Sequence, residues 1–327
     1  MTAKASPAFP VLDSIRWVVN RSRCSAFHPE RLDAAVADWG HDLDEASSWQ
    51  HPCHYSDGTA ETVRWIFVLD VLNHCFWPDA GAPVWTVLYD GTRYSGYWGL
   101  AASLKRAMER NIPVTDPAWL ANVSAGALQE IFHGEGGIPL FAERLFNLRE
   151  AGRMLQARWQ GDILHLLEAA RESALRTVWL VVTSFPSFQD QASYDGRTIY
   201  FWKRAQIFAA DLHNAFSGAG WGNFHDIDRL TAFADYKLPQ VLRELGVISY
   251  RPDLAEKIDR GLGLDPGGED EIEIRAMTVW AVEKFREAFG NAGRTVTSLQ
   301  IDNWLWQLGQ NDRFRRKPYH RCRTIFY

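Results

Sequence analysis

TAETVRWIFVLDVLNHCFW, residues 59–77, is the stretch that decides the fold class. Thr59 is placed to cap a helix, and Glu61 falls in the first turn, where a carboxylate favours the positive end of the helix dipole. A full capping box is absent, because the third residue after Thr59 is Thr62 and not Glu or Gln. Within this long apolar helix Asp70 lies in register with Val63, Ile66 and Phe67, so its carboxylate is expected to face inward.

Similar punctuation recurs on both sides of that stretch. Asp116-Pro117 supplies a cap followed by proline at the first helical position, and Ser124 opens a second short helix that Gly134 closes. Residues 139–160 predict a long amphipathic helix carrying Leu145, Leu148 and Leu155 and stopping at Gly161. Asp162 caps the next, which runs on until just before Phe185-Pro186. Further helices are predicted over 198–216, 237–245, 253–260, 271–289 and 298–308. Strand signals are few. In VWTVLYDGTRYSGYW (84–98) the Asp90-Gly91 pair between two β-rich runs marks a hairpin, since both turn residues tolerate positive φ, and Tyr194-Asp195-Gly196-Arg197 marks a weaker one. GLGLDPGGEDE, from Gly261, predicts a mobile loop. The fold class is mainly α with a small β-hairpin element, in a single domain over 1–327 whose first 45 residues form an N-terminal helical segment.

Composition narrows the function classes. Of 327 residues 46% are apolar and 23% charged, enough for a sizeable core, and no segment approaches the ~18 consecutive apolar residues of a membrane span. The N-terminal MTAKASPAFPVLDSI lacks an apolar run of signal-peptide length, so export is not expected. Cys24, Cys53, Cys75 and Cys322 are scattered without a C-x-x-C pair, which fits a reducing cytoplasm. A net charge of −5 argues against broad binding of a polyanion such as nucleic acid, although it leaves room for a local basic patch. The fifteen tryptophans suit core packing for the most part, with stacking on a flat ligand as the other use.

Common catalytic signatures are missing: there is no phosphate loop, no dinucleotide-binding glycine pattern, no G-x-S-x-G and no H-E-x-x-H. His51-Pro52-Cys53-His54 and His74-Cys75 contain metal-ligand types at no established zinc spacing, so His51 is read as ligand-facing or hydrogen-bonded and no metal is expected. The informative residues are charges on apolar faces. Lys203 shares a helical stripe with Ile199, Ile207 and Ala210, and an inward ammonium needs an anionic partner. Asp302 lies in register with Leu299 and Trp306. Asp235 follows a largely apolar turn, 230–234, where a carboxylate can stand at the rim of a hydrophobic pocket. Each residue alone has a bland reading as a structural ion pair. The ending NDRFRRKPYHRCRTIFY concentrates Arg313, Arg315, Arg316, Lys317, His320, Arg321 and Arg323, and its apolar aromatic finish predicts a docked segment instead of a solvated tail.

Taken together, VRWIFVLDVLNHCFW, YSGYWGL, SFPSFQD, FWKRAQIFAAD, LTAFADYKLPQVLRELG, IDNWLWQLGQ and PYHRCRTIFY resemble the queuosine salvage proteins, the queuosine 5′-phosphate N-glycosylase/hydrolase family, in the family's order and over roughly residues 46–327. The resemblance implies a fold like that of the helical DNA glycosylases, a small-molecule nucleotide substrate, no metal or organic cofactor, and no direct nucleic-acid or membrane partner. It implies Asp235 as the catalytic carboxylate with Lys203 as its basic neighbour, and His51, Phe233 and Asp302 as contacts to the nucleotide. Phe233 would stack on the base, and Asp302 would receive the cationic amine of queuine. For the phosphate the candidates are Lys203 or the C-terminal Arg321 and Arg323, with His320 beside them. The alternatives are a hydrolase of another modified nucleoside and a helical nucleic-acid-binding module.

Overall fold

A computed structural model describes residues 9–45 and 49–327. Residues 1–8, where no export signal was read, and residues 46–48 lie outside that description. Among the described residues there are fourteen α-helices, and each sheet has two strands. None of the helices is long and apolar enough to cross a membrane.

The central helix is Ala60–Leu72, with the Thr59 hydroxyl accepting the Glu61 N–H at 3.1 Å. From Thr62 to Leu72 it is buried on every side except at Arg64, which is why its hydrophobic pattern is nearly continuous. Around it pack Lys203–Ala215, Phe141–Arg158 and Ile163–Ala170. The N-terminal helix Val11–Val19 lies on the long helix Glu269–Asn291 and contributes Val11, Ile15 and Val18 to the same core.

Local caps were legible, and the breaks less so. Asp116 and Ser124 cap Pro117–Asn122 and Ala125–Ile131 as expected. The helix expected from Asp162 to Phe185 is two helices, Ile163–Ala170 and Ala174–Ser184. Arg171 and Glu172 both take positive φ, and the Ser173 hydroxyl starts the second helix. The helix expected over 198–216 begins only at Lys203, because 197–200 form the second strand of the Tyr194–Arg197 hairpin. The predicted mobile loop is pinned: Gly263–Leu264 pairs in parallel with Arg321–Cys322, and Leu264 is buried.

The helix Phe141–Arg158 buries two of its three expected leucines and several polar residues with them. Leu145 is only half-buried, while Arg144, Asn147 and Glu150 are buried with Leu148 and Leu155. At its crossing with Pro117–Asn122 stands Gly152, where a Cβ would come within 2.3 Å of the Ala121 amide nitrogen and 2.6 Å of the Pro117 carbonyl oxygen. Backbone cannot yield as a side chain can, so Gly152→Ala is expected to cost about 1–3 kcal/mol, read as a lower urea midpoint.

The C-terminal segment is docked. Tyr327 is buried, its carbonyl accepts the Cys75 N–H at 2.9 Å, and it closes a second cluster with Trp77, Tyr236, Leu264, Ile274 and Cys322.

Candidate active site

Between these helices opens a cavity of about 650 Å³. One wall is a single stripe of the helix Lys203–Ala215, namely Lys203, Ile207, Asp211 and Asn214. Asp302, Trp306 and Gln310 contribute a second stripe from Ser298–Leu308 and the turn after it. Phe233 and Asp235 come from the extended segment before the helix Lys237–Glu244, and Asn73 and His74 from the end of Ala60–Leu72. Trp49, Trp98 and Trp306 add flat apolar surface.

Asp235 is anchored by one oxygen only. Its Oδ1 accepts the N–H groups of Lys237 at 2.7 Å and Leu238 at 3.0 Å, so the carboxylate caps the next helix and cannot swing away. Oδ2 makes no hydrogen bond among the described residues. Lys203 is buried to 6% exposure, and its ammonium forms neither a hydrogen bond nor an ion pair among the described residues. Burial lowers its pKa, with Asp235 the foremost of the carboxylates that oppose the shift. The preceding residue, Trp202, holds φ at +52°, a costly backbone state that aromatic contacts to Phe9, Trp179 and Tyr200 maintain.

Phe233 and Asp302 are joined: the Phe233 N–H donates to Asp302 Oδ1 at 2.7 Å. Burial pushes the Asp302 carboxyl well above the ordinary aspartate range, and the Phe233 hydrogen bond only partly offsets it. Asp70, fully buried, and Asp211, half-buried on the cavity wall, are electrostatically linked carboxyls. Each has an Oδ2 sealed from solvent without a hydrogen-bond partner. Burial first, and then the charge of Asp70, raises Asp211 far above its usual value, and burial lifts Asp70 to about 8. A carboxyl whose folded pKa is raised binds a proton that the unfolded chain has released. Its contribution to stability is therefore full below the ordinary value of 3.8 and is lost as pH rises towards 8. Asp70→Asn removes this titration, so urea midpoints measured between pH 5 and 8 are expected to fall less steeply with pH in the variant than in the wild type.

Two buried arginines hold the end of the central helix against the cavity. Arg204 donates to the carbonyls of Asp70 at 2.9 Å and Val71 at 2.6 Å, and also to that of Ser187. Arg144 donates to Leu72, His74, Cys75 and Pro139. A guanidinium at a helix C-terminus satisfies several orphan carbonyls at once and complements the dipole. Asn73 and His74 are thereby fixed in the wall.

A third buried arginine bridges the two catalytic candidates. Arg275 pairs with both oxygens of Asp190, at 2.8 and 2.6 Å, and with Glu271. Its Nε donates to the carbonyl of Ala234, the neighbour of Asp235, at 3.1 Å, while Asp190 Oδ2 accepts the Lys203 N–H at 3.1 Å. One ion pair thus ties the start of the Lys203 helix to the Asp235 segment.

Of the residues expected from sequence, Lys203, Phe233, Asp235 and Asp302 meet at the cavity. His51 stands behind it: its ring stacks on Trp98 with centroids 3.6 Å apart, and its Nδ1 accepts the Cys53 N–H. His54 lines the wall, bonded to Trp49 O and to the Tyr97 hydroxyl. His320 is also behind, 3.3 Å from the Tyr327 hydroxyl, and burial holds its pKa near 3. Arg321 and Arg323 lie outside, over the Trp77 ring, with Arg323 paired to Asp79. The basic side chains that do line the cavity beside Lys203 are Lys237 and Arg315. Among the described residues no three potential metal ligands converge.

Comparison with known proteins gives this cavity a context. The family model described as "Queuosine salvage protein" matches residues 53–327. A queuosine 5′-phosphate N-glycosylase/hydrolase of Sphaerobacter thermophilus is 45% identical over 280 residues, 86% of each chain. Proteins of the same name from Nematostella vectensis and Mus musculus are 38% and 36% identical over 299 and 311 residues, covering 86% and 91% of this chain and 86% and 90% of theirs. The chain therefore belongs to the queuosine salvage protein family.

Proposed function

We propose that this protein hydrolyses the N-glycosidic bond of queuosine 5′-phosphate, releasing the base queuine and leaving ribose 5-phosphate. The observation that carries this reading is Asp235, a cavity-lining carboxylate locked on one oxygen by two backbone N–H groups, its other oxygen without a hydrogen bond among the described residues. Departure of the base builds positive charge on the ribose, and a fixed carboxylate facing the sugar stabilises the oxocarbenium-like transition state without reorganising. Water completes the reaction: its hydroxyl joins C1′ and its proton balances the departing base.

Lys203 and Asp235 are the catalytic residues in this reading, with Lys203 holding positive charge where the site is otherwise rich in carboxyls. Phe233 offers a ring face to the flat base, and its main chain is held by Asp302. Queuine is a 7-deazapurine and has no ring nitrogen at position 7 to protonate, so its departure depends on donors placed elsewhere on the ring. Its side-chain amine is cationic, and a buried carboxyl such as Asp302 regains its charge when an ammonium arrives beside it. The substrate is the free nucleotide, and the four unpaired, buried cysteines support work in a reducing cytoplasm.

The test is substrate choice. Incubated with queuosine 5′-phosphate, guanosine 5′-phosphate and adenosine 5′-phosphate separately, the protein is expected to release base from the first alone, as measured by chromatography. Equal cleavage of guanosine 5′-phosphate would overturn the substrate assignment.

A further inference from the structure

Two cations besides Lys203 line the cavity, and neither is tied up in a buried ion pair. Lys237 is half-buried, and its ammonium makes neither a hydrogen bond nor an ion pair among the described residues. Arg315 is anchored through Nε to the Gly309 carbonyl at 2.8 Å and through Nη2 to Gln310 at 3.1 Å. Its acidic neighbour, Asp312, is 3.7 Å away and 99% exposed, too well solvated to neutralise it. Both cations line the same cavity, and the charge of Arg315, after burial, lowers the Lys237 pKa. Lys237 is half-buried and the Arg315 side chain 40% exposed, and the repulsion between two such cations is relieved when an anion binds both.

Their position fits one anion in particular. Lys237 is two residues beyond Asp235, whose Oδ1 grips its N–H. The 5′-phosphate hangs from the same ribose whose C1′ Asp235 must face, so the phosphate has to sit within a sugar's width of that carboxylate. The cavity lining carries both signs of charge, with Lys237 and Arg315 among its cations and Asp302 and Asp211 among its carboxyls. A nucleotide with an anionic phosphate and a cationic base is matched when its phosphate meets the cations and its amine the carboxyls; the reverse would set phosphate against carboxyls and amine against cations.

We propose that Lys237 and Arg315 form the subsite for the substrate's 5′-phosphate, replacing the C-terminal Arg321 and Arg323 in that role; the assignment rests on the hydrolase reading. The test compares kcat/KM for queuosine 5′-phosphate with kcat/KM for unphosphorylated queuosine. In Lys237→Gln and in Arg315→Gln the ratio is expected to fall at least about tenfold, the loss of one charge-assisted hydrogen bond, whereas Arg321→Gln keeps the wild-type ratio. An unchanged ratio in the first two variants, or equal loss on both substrates, would overturn the subsite. If the wild type cleaves neither substrate, the hydrolase reading is what fails, and the subsite is then tested with sodium phosphate. Against sodium chloride at equal ionic strength, phosphate is expected to raise the thermal midpoint of the wild type and not that of the double variant. Equal shifts in both proteins, or none in either, would overturn the subsite by itself.

Discussion

Asp235→Asn is expected to lower kcat on queuosine 5′-phosphate by about 10³-fold, the order found when one preorganised electrostatic group is removed from an active site. Asparagine keeps an Oδ1 that can accept the Lys237 and Leu238 N–H groups, so the start of the helix Lys237–Glu244 survives and the loss reports charge alone. Asp235→Ala removes both roles. It should lose similar activity and, in addition, about 1 kcal/mol of stability, the usual cost of deleting a cap. Steady-state kinetics and urea titrations on the two variants separate the contributions. Equal stability in the alanine and asparagine variants would show that the two backbone bonds contribute little.

Arg275→Met is expected to be the most damaging single change away from the cavity surface. It leaves Asp190 and Glu271 buried without their shared cation, both with side-chain exposure of 3%, and it frees the Ala234 carbonyl. Removing one partner from a buried ion pair costs about 3–5 kcal/mol, because the remaining charge keeps its desolvation penalty. The consequence is not confined to stability. Asp190 holds the Lys203 N–H and Arg275 holds the residue before Asp235, so the variant should lose kcat even at temperatures where it stays folded. Denaturant midpoints and kcat measured well below the unfolding transition test both halves. A folded variant with wild-type kcat would mean that the bridge between the two segments is dispensable for catalysis.

Much of the architecture was legible because helix boundaries are written locally. Thr59, Asp116, Ser124 and Asp162 each accept a backbone N–H two or three residues on, and that chemistry needs no distant partner. The break at Arg171 and Glu172 was not legible, because neither residue is a glycine or asparagine, and the hydrogen bonds at the break, from the His225 N–H to the Glu172 carbonyl and from the Ser173 hydroxyl and Ala174 N–H to Asp226, reach far along the chain. Inward charge was the most productive signal for the site. Asp70, Lys203 and Asp302 are all buried as their register with apolar neighbours predicted, although Ile199, counted in the Lys203 stripe, lies in a strand. Asp211 continues that stripe two turns beyond Lys203 and was open to the same logic.

What sequence could not convey were contacts across the chain. Arg275 and Asp190 are 85 residues apart, and nothing local to either marks them as the link between Lys203 and Asp235. The basic C-terminal stretch was recognised as docked, but its arginines were not sorted. Arg321 and Arg323 lie over the Trp77 ring, in and beside the strand that pairs with 263–264, whereas Arg315 lines the cavity. His51, expected to contact the nucleotide, stacks on the ring of Trp98, which itself lines the cavity. In each case the direction of the side chain depends on packing that only the folded chain supplies.

The most direct measurement is the release of queuine from queuosine 5′-phosphate by the purified wild type and by Asp235→Asn under identical conditions, followed by chromatography with ribose 5-phosphate quantified alongside. Equimolar queuine and ribose 5-phosphate are expected from the wild type, and a rate about 10³-fold lower from the variant. Equal rates from the two proteins would remove Asp235 from the chemistry, and no queuine from the wild type would contradict the proposed hydrolysis itself.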